Sequence, residues 1–351
     1  MTDKLTASVR SDCAAAADAE ALKALAGRHI LVTGGTGFVG TWLTEMVACL
    51  NDEHSLGMRV SLLASHTSDF QERVPHLANR MDVELIERDV RDLDVLPAGV
   101  THVIHAAGSP DNRLHASDPL RCMSVISAGT SAVLRASVDA PDLVKLLFVS
   151  SGLVYGPQPL DLPGISEKFV GGPECDSIAS VYPEAKRYAE VECAAWRGQT
   201  KLPIVTARPF AFIGPYQGLD KPWAVNNFLR DALLGGPIRI MGCAETVRSY
   251  MYPSDMAFWL LRILADGVPG VAYNVGSPEA VTLQDLADRI AGAFDEQPAV
   301  VCRGGANPRP SRFVPDVDRC RDTLGLRVTV PLDEAIARTL EWHRSARAAR
   351  A

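Results

Sequence analysis

Short apolar runs alternate along this chain with longer segments whose apolar positions recur at helical spacing. The runs at 29–33, 59–64, 83–86, 101–106, 144–150 and 203–207 predict strands, and segments near 41–50, 118–137 and 183–197 predict helices. Strand and helix in alternation imply a parallel sheet with helices on both faces. The first residues, "MTDKLTASVRSDCAAAADAEALKALAG", read as a frayed tail followed by a short alanine-rich helix, an N-terminal extension over 1–26. Ligands on such sheets bind at the carboxyl ends of the strands, so the residues just after each run carry the interest.

The first run opens the stretch "HILVTGGTGFVG", 29–40, where Gly34, Gly35, Gly37 and Gly40 stand between a strand and a helix. Glycine permits a tight turn and lets a ligand approach the backbone. The helix start at Phe38 and Val39 offers unpaired N–H groups and a positive dipole end, a seat for phosphate. Strand, glycine turn and helix make a dinucleotide-binding fingerprint, spaced Gly34-x-x-Gly37-x-x-Gly40. The expected architecture is therefore a Rossmann-type doubly wound α/β sheet over 27–210, with a smaller C-terminal α/β portion over 211–351. Segments near 244–276 are expected to return to the first domain.

The second run ends in Ala64, followed by Ser65 and His66, where an NAD enzyme usually places a carboxylate for the ribose hydroxyls. Ser65 or His66 is left to bond the ribose, or a 2′-phosphate if the cofactor is NADP; an ordinary loop is the alternative. After the third run, Asp89 is placed to accept from an adenine amino group and Val90 to cover the ring. After the fourth, the small residues Ala106, Ala107 and Gly108 let a cofactor lie flat on the strand end. The fifth ends in "FVSSGLVYG", and "VYPEAKRYAE" follows. Pro183 suits a first helical turn, which sets Tyr182 and Lys186 on one face. An ammonium beside a phenol favours the phenolate, giving a tyrosine able to exchange a proton near neutral pH. A serine hydroxyl from the fifth strand can bond the same substrate oxygen.

Composition narrows the partners. The chain has 351 residues, 47% of them hydrophobic, and a net charge of −7, which disfavours nucleic acid or an anionic membrane as main partner. No apolar run approaches a membrane span. Eight cysteines are scattered without a C-x-x-C pair, which argues against a zinc site or disulfide framework and for a reducing cytoplasm.

In order and spacing, "TGGTGFVG", "RDVRD", "HAAG", "SSGLVYG", "YPEAK", "RPFAFIGP", "RSYMYPSD" and "YNVGS" resemble the extended short-chain dehydrogenase/reductases of the nucleotide-sugar epimerase/dehydratase family, over residues 28 to 345 or so. The resemblance implies a bound nicotinamide dinucleotide, NAD with NADP not excluded, that oxidises a sugar hydroxyl, usually at C4. It implies Tyr182 as proton acceptor, Ser151 next to the substrate oxygen and Lys186 on the nicotinamide ribose. It implies a homodimer through helices near 118–137 and 183–197. It also implies that the C-terminal portion binds a nucleotide-diphosphate sugar through Asn227, Arg239, Ile240, Arg248, and Arg309 or Arg312. Arginine suits that task because its fork meets phosphate oxygens in pairs. Asp255 is expected to cap the helix "MAFWLLRIL", and Tyr155 to pack.

Three departures from the family pattern stand out. Ile126 and Ala211 occupy positions where the family usually has asparagine, and no acid follows the second strand. In the family's 4,6-dehydratases, and at one position in its decarboxylases, acids stand where this chain has Gly152 and Leu153. Neither side chain transfers a proton. Glu167, Glu174 and Asp176 lie nearby in sequence without anything that positions them. The expected function is an NAD(P)-dependent nucleotide-sugar C4 epimerase or 4-oxidoreductase, without loss of water or CO₂. The alternatives are a dehydratase or decarboxylase of the same family, an NADPH-dependent carbonyl reductase, and a cofactor-binding protein with no turnover, against which the intact Ser151, Tyr182 and Lys186 argue.

Overall fold

The computed structural model describes residues 3–304 and 309–348. The first half of the chain contains α1 (Asp3–Ala16), β1 (His29–Thr33), α2 (Phe38–His54), β2 (Arg59–Ala64), α3 (Ser68–Arg73), α4 (Pro75–Ala78) and β3 (Val83–Glu87). It continues through β4 (His102–His105), α5 (Asn112–Ser117), α6 (Pro119–Val138), β5 (Lys145–Val149), α7 (Val181–Thr200) and β6 (Ile204–Pro209). The second half contains α8 (Ala224–Leu233), β7 (Ile238–Ile240), β8 (Val247–Arg248), α9 (Pro253–Asp266), β9 (Ala272–Val275) and β10 (Val281–Thr282). It ends with α10 (Leu283–Gly292), β11 (Val300–Cys302), β12 (Arg312–Phe313), α11 (Asp318–Leu324) and α12 (Leu332–Ala348).

Seven strands form one sheet in the order β3-β2-β1-β4-β5-β6-β9, every pair parallel. β1 and β4 are buried at every position, with apolar centres (Ile30–Val32 and Val103–Ile104) between buried histidine or threonine ends, as suits strands covered on both faces. The order reverses at β1, so the crevice between the carboxyl ends of β1 and β4 is the ligand position of this fold. β9 rejoins the main sheet beside β6. β8, by contrast, belongs to a small sheet with β10 and β12, and β7 pairs with β11. The 244–276 stretch is thus divided between the three-stranded sheet, through β8, and the main sheet, through β9.

The N-terminus differs from the expected frayed tail. α1 begins at Asp3 and sets Leu5, Val9, Cys13 and Ala16 on one stripe, all buried. It packs on α2, α9 and α12. Its buried Asp12 accepts from the Tyr252 hydroxyl (2.5 Å) and from Arg338 (2.6 Å). Alanines and a single apolar residue per turn give this stripe little contrast in the sequence, which is why it looks unpartnered until the C-terminal helix supplies its neighbour. Asp255 is also used otherwise than expected. It lies inside the first turn of α9 and holds the backbone of Thr329 and Val330 and the Thr329 hydroxyl, fastening the segment that leads to α12.

Burial holds three histidines far below their ordinary pKa: His102 to about 4, His105 to about 3 and His343 to about 4. Above the unfolded value of about 6.5 both states are neutral and these groups have no effect on stability. Below it the unfolded chain takes up protons that the fold refuses, so stability falls as pH falls from about 6.5 towards about 4. We expect the urea midpoint to drop markedly between pH 7 and pH 5, and the His343→Phe variant to lose part of that slope. A midpoint unchanged over this interval would contradict the assignment of these groups as neutral in the fold.

Candidate active site

The glycine loop is shaped first by packing. Gly34 has φ +67°, and a Cβ there would stand 2.9 Å from the Ala106 carbonyl oxygen. A Cβ on Gly40 would stand 2.1 Å from the Gly35 carbonyl oxygen, so α2 can lie this close to β1 only with glycine at that position. Gly37 is different. It is the residue before α2, in extended backbone, and an added Cβ would meet only the Gly34 carbonyl oxygen, at 3.1 Å. The first backbone bond of the helix runs from Thr41 N–H to Gly37 O. The N–H groups of Phe38, Val39 and Gly40 are left over at the positive end of a 17-residue helix, an anion seat beside Ala106 and the buried Ala107.

At the adenosine end the expected residues are present, with qualifications. Ser65 and His66 are exposed just beyond β2. Asp89 is engaged by Arg91, whose guanidinium meets it at 2.7 and 3.0 Å and holds its carboxyl down at about 2. Val90 is buried against α6, where a Cβ on Gly129 would meet it at 2.7 Å. Ile126, in the family's asparagine position, is fully buried and packs under Gly108.

Ser151, Tyr182 and Lys186 come together where β5 ends and α7 begins, all three buried. Ser151 Oγ accepts the Leu153 N–H at 3.1 Å and stands beside the Tyr182 phenol. Lys186 Nζ donates to the Val149 carbonyl at 2.7 Å and lies 5.0 Å from the centre of the Phe148 ring and 5.8 Å from that of Tyr182. Its pKa is pulled down to about 8 by burial. Against the expectation that Lys186 lowers the phenol's pKa, burial prevails in this arrangement. Burial raises the Tyr182 pKa, and the neighbouring Ser151 hydroxyl opposes it. The sequence reading missed His115. Its buried ring stacks on Tyr182 at 5.0 Å and 8°, and its Nε2 is 2.7 Å from the Ser109 carbonyl. A lone histidine on the short helix α5 carries no signal of this. The same loop holds the buried Asp111, bonded to Arg113 (2.7 Å) and Lys221 (3.3 Å), which ties the segment after β4 to the one before α8.

Gly152 and Leu153 follow Ser151 directly. A Cβ on Gly152 would stand 2.7 Å from the Phe210 ring, so no larger side chain fits there without displacing it. Leu153 is exposed. Of the neighbouring acids, Glu167 is engaged by the Asn274 N–H (2.9 Å) and faces Arg319 (3.7 Å), while Glu174 and Asp176 are exposed. Tyr155 packs as expected, with its hydroxyl between Asn274 and Arg208.

Of the C-terminal residues, Arg248 and Arg312 lie on the paired strands β8 and β12, with the exposed Arg309 just before the latter. Arg248 donates to Val247 O and Ser311 Oγ, and Arg312 to Pro163 O. Asn227 accepts from Arg230, and the exposed Arg239 is forked onto Asp231 at 2.7 and 3.0 Å. Ile240 is fully buried in the main core and its carbonyl accepts from Arg303 N–H, so its side chain lines no open surface. Ala211 is half-buried. Among the described residues no cluster of His, Cys, Asp and Glu is suited to hold a metal, and no helix is long and apolar enough to cross a membrane.

A family model described as the NAD dependent epimerase/dehydratase family matches residues 30–276, which span the glycine loop, the Ser-Tyr-Lys cluster and β9. The protein belongs to the NAD-dependent epimerase/dehydratase family. It is an enzyme fold of the extended short-chain dehydrogenase/reductase type, in an NAD-dependent family. UDP-glucuronic acid decarboxylase 1 of Xenopus tropicalis is 27% identical over 319 residues, covering 90% of this chain and 72% of that protein. UDP-glucuronic acid decarboxylase 4 of Arabidopsis thaliana is 26% identical, covering 88% and 67%. The fold matches a UDP-glucose 4-epimerase from Thermotoga maritima, solved with UDP-glucose, at a TM-score of 0.76 and 22% identity, over 91% of this chain and 99% of that one. A UDP-glucuronic acid 4-epimerase from Bacillus cereus, solved with UDP-glucuronic acid and NAD, matches at 0.77 and 21%, over the same shares.

Proposed function

We propose that the protein oxidises and re-reduces C4 of a nucleotide-diphosphate hexose or hexuronate, without loss of water or CO₂. The observation that carries this is Gly152 pinned beneath Phe210 with Leu153 beside it, next to an intact Ser151, Tyr182 and Lys186. Bound nicotinamide dinucleotide supplies the acceptor, and later the donor, of one hydride. Gly34, Gly37 and the first turn of α2 seat its pyrophosphate, and Ala106 and Ala107 flank its path. Tyr182 takes the proton of the C4 hydroxyl as the hydride leaves that carbon, and Ser151 bonds the same oxygen. Lys186, cationic while Tyr182 is anionic, offsets the charge that appears in a dry pocket. Were the bound dinucleotide to return the hydride to the opposite face, Tyr182 would give the proton back and the C4 epimer would form with no net change in composition. Elimination of water is disfavoured because hydroxide leaves poorly without a general acid of its own, and positions 152 and 153, next to Ser151, carry no group that transfers a proton.

Asn227, Arg239, Arg248, Arg309 and Arg312 are the diphosphate-binding candidates, and Arg248 is the best supported, being half-buried without a carboxylate against it. A second copy of the chain fits on α6 and α7, which expose Leu120, Met123, Tyr188 and Val191.

A second reading is favoured by the relatives named UDP-glucuronic acid decarboxylase. Oxidation of a hexuronate at C4 makes a ketone β to the carboxylate, and such an acid loses CO₂ without a proton donor at position 153. The two readings separate by mass. The protein is incubated with UDP-glucose, UDP-glucuronate and their dTDP counterparts, and the products are weighed. We expect unchanged mass with altered C4 stereochemistry. Loss of CO₂ from the uronate would replace the first reading with the second, and loss of water would overturn both.

A further inference from the structure

A buried charge is usually paired. Of the half-buried guanidiniums with no carboxylate in ion-pairing distance among the described residues, burial disfavours the charge most clearly at two. One is Arg248, on the side expected to face the sugar nucleotide's diphosphate. The other is Arg73, at the end of α3. Arg73 donates from Nη2 to the Thr36 carbonyl at 2.8 Å, and its guanidinium stands 5.9 Å over the Phe70 ring. Its Nε and Nη1 have no partner among the described residues, and Asp69 faces it only from longer range.

The position is informative. β2 lies beside β1 with Leu63 opposite Thr33, so the residues after β2 flank the glycine loop. Thr36 is clasped from both sides: its hydroxyl donates to His66 O at 3.3 Å, and its carbonyl accepts from Arg73. The guanidinium therefore sits at the mouth between loop and strand end, where this fold places the adenosine ribose and its 2′ oxygen. The usual carboxylate is absent there, since Ala64, Ser65 and His66 end the strand. Two acids follow at the end of β3. Glu87 accepts from the Thr67 N–H and hydroxyl at 3.0 and 2.9 Å, and Asp89 is forked by Arg91.

We propose that Arg73 is the seat of an adenosine 2′-phosphate, with Ser65 and His66 at its rim, so that this member of an NAD-dependent family binds NADP(H) as well as NAD(H). A phosphate dianion fits the two free N–H directions of the fork; of the nearby acids, Glu87 is engaged by Thr67 and Asp69 acts on Arg73 only from longer range. The inference rests on the glycine loop being a dinucleotide site and is independent of the sugar and the reaction.

Dissociation constants of NADH and NADPH are measured by fluorescence titration on the wild-type protein and on Arg73→Met, with 2′-AMP, 3′-AMP and 5′-AMP as competitors. We expect the wild type to bind NADPH at least as tightly as NADH, with 2′-AMP the best competitor. Arg73→Met is expected to weaken NADPH by about tenfold or more and NADH by less than about threefold, the size of one lost charge-assisted fork. Wild-type NADPH binding more than about tenfold weaker than NADH would overturn the proposal. So would equal weakening of both nucleotides in Arg73→Met, which would make the residue only a clasp for Thr36. If Arg73→Met does not fold, Ala64→Asp serves. It restores the missing acid and should weaken NADPH selectively, and an unchanged preference would count against the proposal. Binding of neither nucleotide would remove the dinucleotide site itself, an outcome distinct from binding of NADH alone.

Discussion

Tyr182→Phe lowers turnover by about 10²-fold or more, the typical size of a lost general acid–base group, while dinucleotide binding is retained. The phenol is buried next to Ser151, and its ring is clamped by His115 at 5.0 Å, so phenylalanine occupies the same volume and keeps the stack. What is removed is one oxygen. Burial raises the phenol's pKa, so the proton leaves only where the substrate oxygen, Ser151 and the Lys186 ammonium share the charge. The measurement is single-turnover reduction of bound dinucleotide by the sugar nucleotide, alongside dinucleotide content after denaturation. A Tyr182→Phe protein that reduces its cofactor at the wild-type rate would remove Tyr182 from the chemistry. A protein that has lost its dinucleotide would make the variant structural and leave the roles of Ser151 and Lys186 to be tested separately.

Gly37→Val abolishes dinucleotide binding while the fold persists, whereas Gly40→Val destroys the fold. The two glycines stand three residues apart in one motif, and their surroundings predict opposite failures. At Gly40 an added Cβ lies 2.1 Å from backbone, so α2 must leave the sheet. At Gly37 the added atom has only one neighbour within 4 Å, at 3.1 Å, and extended backbone that any residue adopts. The branches of valine then occupy the space in front of the free N–H groups of Phe38, Val39 and Gly40, where the pyrophosphate must approach. Circular dichroism and cofactor content together check this. Normal dinucleotide content in folded Gly37→Val would move the phosphate site elsewhere.

Much of the frame was legible in the chain order of its residues. Apolar runs marked six of the seven strands of the main sheet, because a strand packed between helices keeps an apolar centre. Four glycines marked the turn between strand and helix, because at Gly34, Gly35 and Gly40 a Cβ would stand under 3.0 Å from its neighbours. The spacing of Tyr182 and Lys186 placed both on one helix face. These are local properties, and local spacing determines them.

What the tertiary structure alone decided concerns groups distant in sequence whose effects depend on burial. β9 is short and completes the sheet only beside β6. α1 becomes core only when α9 and α12 cover it. Ile240 looks like a binding position in sequence and is packed inside, and Asp255 looks like a cap and fastens a remote loop. Lys186 was expected to lower the phenol's pKa by its spacing, yet the Val149 carbonyl holds its ammonium and desolvation of the phenol prevails. His115 meets Tyr182, Phe210 fills the space over Gly152, and Arg73 reaches Thr36 because three loops converge on the same strand ends. Spacing along a helix or strand fixes which face a residue takes; the dielectric around it and the partner it meets depend on what the rest of the chain brings there.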